Sequence, residues 1–126
     1  LARLTLALKV VLASANPVPT IIFDEVDAGI GGATAAAVGE RLARLSEGFQ
    51  VLVVTHSPQV AARGDKHWRI TKIDIDKGNR TIVDKLGSDD RTEEIARMLA
   101  GSKVTEVARA AANQLLDNRT VSTTIG

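Results

Sequence analysis

Two short apolar runs constrain the fold of this 126-residue chain more than any other feature. Thr20-Ile21-Ile22-Phe23 ends in Asp24-Glu25, and Gln50-Val51-Leu52-Val53-Val54-Thr55 ends in His56-Ser57. Neither run alternates polar with apolar residues, which suits strands buried on both faces of a parallel sheet. The alanine-rich stretch Ala33–Leu45 between them reads as a helix. Strand, helix and strand then make one βαβ unit, whose right-handed crossover is expected to lay the helix on one sheet face. The expected class is α/β with a mostly parallel sheet and flanking helices.

The rest of the chain reads in shorter units. Leu1–Leu12 has a helical pattern without a start methionine or a cap, and is expected to close near Ser14–Asn16, where Pro17 and Pro19 interrupt it. That opening suggests a piece of a longer protein. A short helix over Pro58–Ala62 stops at Gly64. His67–Ile75 and Arg80–Leu86 flank Asp76-Lys77-Gly78-Asn79 and predict a β-hairpin, with Gly-Asn supplying the positive φ angles of the turn. Ser88-Asp89-Asp90 is expected to cap a helix over Thr92–Ala100, and a last helix is expected over Val104–Leu116. Ile95, Met98, Leu99, Val104, Val107, Ala108, Ala111 and Leu115 form its candidate core. Residues 1–116 are expected to form one lobe and residues 117–126 a disordered tail.

Composition narrows the function classes. Sixteen basic against 15 acidic side chains leave a net charge of +1, so a strongly polyanion-seeking surface is excluded and nucleic-acid contacts must be local or come from other parts. Cysteine is absent, which removes disulfides, thiolate metal sites and thiol nucleophiles and fits a reducing cytoplasm. No apolar run approaches the roughly 20 residues of a membrane helix. Phe23, Phe49 and Trp68 are the only aromatic residues, so the core is aliphatic and base stacking is not expected.

Ligands of open α/β sheets bind beyond the carboxyl ends of the strands. Asp24-Glu25 stands at one such end, where one carboxylate could support Mg²⁺ through water and the other could activate a water. His56 stands at the other, able to donate a hydrogen bond to a phosphate or a water if the strands are neighbours. Taken singly, the acid pair also fits a solvated strand end, and His56 a residue satisfied by the following turn. Asp27-Ala28-Gly29-Ile30-Gly31-Gly32 permits close backbone approach to a ligand or partner, or is simply a flexible helix entry. No G-x-x-x-x-G-K-[ST] phosphate loop occurs in the chain. Arg41, Arg44, Arg63 and Lys66 read as solvated charges, and His67 has no companions at metal-ligand spacing.

Thr20-Ile-Ile-Phe-Asp-Glu-Val-Asp-Ala-Gly-Ile-Gly-Gly32 and Val51-Leu-Val-Val-Thr-His-Ser-Pro-Gln-Val-Ala61 resemble the Walker B, D-loop and H-loop segments of an ABC-type ATPase head. With the opening helix, the order is similar to the carboxyl-terminal lobe of the RecN family, bacterial SMC-like proteins of DNA double-strand-break repair. The resemblance implies the distal part of an ABC-type P-loop NTPase head and an ATP hydrolase using ATP and Mg²⁺. It implies Asp24 as the Walker B aspartate supporting Mg²⁺ through water, Glu25 as the residue polarising the attacking water, and His56 as the γ-phosphate sensor. Asp27, Gly29 and Gly31 would lie in the D-loop that crosses toward a second head. Transporters have a Pro after the glutamate and an Asp closing the loop. Val26 and Gly31 stand there, which favours the SMC-like branch over a transporter subunit.

The implied partners are an N-terminal lobe bearing Walker A, a second head, and DNA contacted through the full-length protein. The implied setting is the bacterial cytoplasm at the nucleoid, without a membrane. Lacking Walker A and the Ser-Gly-Gly signature, the chain alone is expected to be inactive. A module that only dimerises or docks a partner is the alternative from another class.

Overall fold

A computed structural model describes residues 6–8, 19–76 and 78–124. The predicted opening helix lies mostly outside them; residues 6–8 are helical. The chain divides between Arg63 and Gly64 into two compact units.

The first unit contains β1 (Thr20–Asp24), α1 (Gly32–Leu45), β2 (Gln50–Val54) and α2 (Pro58–Ala61). β1 and β2 pair in parallel, with Thr20 opposite Gln50 and Asp24 opposite Val54. The two carboxyl ends therefore lie side by side. Thr20 Oγ1 donates to Gln50 Oε1 at 2.7 Å, and Gln50 N–H to Pro19 O at 3.0 Å, which closes the opposite end of the ladder. The strands are half-buried rather than buried on both faces as their composition suggested. Among the described residues each pairs only with the other, so both remain sheet edges.

Small residues let the two helices of this unit approach closely. Ala35 and Gly39 are the buried positions of α1, and Val60 that of α2. A Cβ at Gly39 would lie 3.2 Å from Gln59 O and 3.3 Å from Val60 Cα, so a side chain there meets backbone. Gly39 thus sets the seat of α2, the helix entered directly from His56-Ser57.

The second unit contains β3 (Trp68–Ile75), β4 (Gly78–Lys85), α3 (Ser88–Ala100) and α4 (Glu106–Thr124). The hairpin is present, but its turn sits earlier than expected. Ile75 pairs with Gly78 and Asp74 with Asn79, so Gly78 and Asn79 belong to the ladder. Gly78 alone of that pair has positive φ, at 134°.

The helix expected from Thr92 begins at Ser88, with Gly87 as its N-cap. Asp89 and Asp90 occupy the first turn, where carboxylates complement the helix dipole without capping it. The final helix starts two residues later than predicted, because Thr105 Oγ1 accepts the Ala108 N–H at 3.1 Å and acts as the cap. It continues past Leu116 to Thr124, where disorder was expected; residues 117–124 include no Gly or Pro to stop it.

Ile95 and Ala96 of α3, with Ala108 and Ala112 of α4, form the buried core of this unit. Leu99 and Val107, both expected in that core, are 38% and 80% exposed. Val107 lies one residue, about 100° of helix, off the Ala108–Ala112 line, and so misses the packed face. Glu94 is also buried, and receives Arg97, with Arg69 3.9 Å away.

Candidate functional site

The carboxyl ends of β1 and β2 turn sharply, and the turns decide where each side chain goes. β1 ends at Asp24, and Glu25 takes φ 54°, the only positive φ at a non-glycine residue among the described ones. Such a conformation costs on the order of 1–3 kcal/mol and persists only where neighbouring contacts impose it. Here Glu25 N–H donates to Val54 O at 2.8 Å, and Glu25 O accepts from Ala28 N–H at 3.1 Å. The reversal breaks the strand's alternation exactly between the two acids.

Glu25 consequently lines an open cavity of about 360 Å³ with Asp27, Ala28, Gly29, Ile30, His56 and Ser57. His56 Nε2 lies 3.0 Å from Glu25 Oε1. The His56 side chain is 90% exposed and that of Glu25 33%, so both are open to a ligand. An exposed pair of this kind contributes at most about 1 kcal/mol, too little to build the site. The loops are held by other groups. Asp27 is buried, and its carboxylate accepts a hydrogen bond from Thr55 Oγ1. Thr55 Oγ1 in turn accepts Ser57 N–H at 2.9 Å.

Of the residues singled out in the sequence, Glu25, Asp27, Gly29 and His56 gather around the cavity. Asp24 is exposed and outside its lining. Gly31 is the N-cap of α1 and is likewise outside it. Asp27 turns inward onto Thr55, leaving Ala28, Gly29 and Ile30 as the exposed part of its loop. Sequence reasoning passed over Thr55; a hydroxyl immediately before a strand-end histidine was the available signal. No group of three or more metal-ligating side chains occurs among the described residues. An ion held chiefly by phosphate oxygens and water, with one carboxylate, still fits Asp24, whose side chain makes no hydrogen bond or ion pair among the described residues.

The second unit has a cavity of about 420 Å³, with Lys66, His67, Lys85 and Arg91 on its wall. Asp65 and Asp117 share that wall, and Arg91 donates a hydrogen bond to Gly64 O. Burial, reinforced by the Arg91 charge, holds the His67 pKa below its ordinary value. No described helix is long and apolar enough to cross a membrane.

No protein-family model matches the chain. The DNA repair protein RecN of Xylella fastidiosa strain 9a5c is 51% identical over 116 residues, which are 92% of this chain and 21% of that protein. RecN of Streptomyces coelicolor is 49% identical over 93% of this chain and 20% of its own length. RecN of Haemophilus influenzae is 44% identical over 93% and 21%. The chain thus spans about a fifth of the length of these relatives. Among solved structures, one from work on ATP-driven dimerization and DNA stimulated activation of SMC ATPases matches with a TM-score of 0.51. It is 20% identical, and the match covers 70% of this chain and 52% of that one. That likeness is one of fold, and an SMC-type ATPase fold fits the chain.

Proposed function

This chain belongs with the RecN proteins over the stretch they share, and from that premise we propose that it is the water-activating part of an ATPase head acting in DNA double-strand-break repair. The observation that carries the reading is the meeting of Glu25 and His56 at the carboxyl ends of two adjacent parallel strands. It supports the carboxyl-terminal lobe of an ABC-type head, with ATP as substrate.

Glu25 accepts a proton from the attacking water as the water oxygen bonds to the γ-phosphorus and the bond to the ADP oxygen breaks. The proton then leaves with the product phosphate or to solvent. His56 Nε2, beside Glu25 Oε1 here, is the donor that turns to the γ-phosphate. Asp24 would hold Mg²⁺ through water, and the bound ion would neutralise charge on the phosphate oxygens. The exposed Ala28–Ile30 segment is the part of the D-loop that faces a second head.

The chain contains no Walker A loop, so alone it neither cradles the phosphates nor turns ATP over. An N-terminal lobe supplies that loop, ATP-driven pairing of two heads completes the site, and DNA is engaged through the full-length protein in the bacterial cytoplasm. Val26 and Ile30, 50% and 39% exposed on the segment that follows β1, favour a second reading in which this loop only docks a partner.

Glu25→Gln in the complete protein separates the two. The catalytic reading expects turnover to fall by about 10²–10⁴-fold, with ATP binding retained. Unchanged turnover would leave the docking reading.

A further inference from the structure

We propose that Thr55 and Asp27 are positioning residues that clamp the Glu25 loop to the His56 loop; the proposal rests on the ATPase reading above. Asp27 follows Glu25 by two residues, and Thr55 directly precedes His56. A bond between Thr55 and Asp27 therefore ties together the two turns whose tips carry the reactive pair. The Thr55 hydroxyl is engaged as donor and as acceptor, its proton on the Asp27 carboxylate and one lone pair on Ser57 N–H. A hydroxyl held as donor by one loop and as acceptor by the other couples the positions of the two.

Asp27 as a residue is only 6% exposed, whereas the residues on its loop that would face a partner are open to solvent. A buried carboxylate without a donor is costly, which makes the Thr55 hydroxyl the natural counterpart to its burial. The loop needs such a tie, because Glu25 sits in a left-handed conformation that relaxes once its surroundings loosen. The exposed Glu25–His56 pair is too weak to impose that geometry itself. The clamp thus places the water-activating carboxylate without touching nucleotide.

The test compares Thr55→Val, Thr55→Ser, Asp27→Ala, the Thr55→Val/Asp27→Ala double variant and Glu25→Gln in the complete protein, reading kcat, KM for ATP and the melting curve. Thr55→Val should lower kcat by about 10–100-fold with KM little changed, since small misplacements of a reacting group are expensive. Thr55→Ser, which keeps the hydroxyl, should stay within about threefold of wild type, and the double variant should be no slower than Asp27→Ala alone. Wild-type turnover by Thr55→Val, equal losses in the Val and Ser variants, or losses that multiply in the double variant would each overturn the clamp. If Thr55→Val does not fold, Thr55→Ala against Thr55→Ser decides by the same hydroxyl criterion. Glu25→Gln keeps the two ideas apart: full turnover by it sinks the ATPase reading, while its inactivity beside an unaffected Thr55→Val sinks only the clamp.

Discussion

The two units of this chain use polar residues in opposite ways. In the first, acids and a histidine are left open at strand ends while a hydroxyl and small residues hold the frame. Glu25 and His56 form an exposed pair, and Gly39, Ala35 and the Thr55–Asp27 bond do the holding. In the second, charge is spent on the frame itself. Glu94 is buried under Arg97 and Arg69, and Arg109 joins Glu93 with Glu106. The lesson is that a charge count says little about chemistry; what matters is whether the charges already satisfy one another.

The contrast is broken most forcibly at Gly39. A leucine there must displace α2 backbone, and Gly39→Leu should destabilise the chain by roughly 3 kcal/mol in urea unfolding followed by helix circular dichroism. A loss below half that would mean the helices are not locked by their small residues. Glu94→Gln comes next, at about 1–2 kcal/mol near neutral pH, discounted because Arg97 and Arg69 are half exposed.

That second effect has a pH signature. The hydrogen bond from Arg97 is the chief cause holding the Glu94 carboxyl below its ordinary value of 4.5. The unfolded chain therefore binds this proton first on acidification, and the stability Glu94 supplies is lost as pH falls through its folded value. Wild type and Glu94→Gln should converge in strong acid. His67 acts in the same direction: its pKa is lowered from 6.5, so its part of the stability begins to fall just below that value. The emission of Trp68, the only tryptophan, next to His67, reports both steps. The smallest effect belongs to Glu40→Ala. It removes a pair whose side chains are 75% and 45% exposed, and should move stability by no more than about 0.5 kcal/mol.

Much of this architecture was legible before any coordinates. Two unalternating apolar runs, a helix between them and polar strand ends were enough to anticipate parallel neighbours with a shared rim, because side-chain period and crossover rules act locally. The hairpin and the two last helices were legible for the same reason. Boundaries were less so. Glu106, capped by Thr105, rather than Val104 starts the last helix, and Gly78-Asn79 lies in the ladder, since caps and register depend on individual hydrogen bonds.

What the residue order settled, then, is which side chains reach the rim: Asp24, Glu25, Asp27 and His56 stand at or just beyond two strand ends. Only the folded chain decided how they divide. The left-handed turn at Glu25 parts it from Asp24, and burial of Asp27 against Thr55 takes that carboxylate out of the exposed set. Both outcomes come from contacts between segments far apart in the chain. Local propensity has no information about such contacts, because a positive φ or a buried acid is unfavourable until a distant partner compensates it.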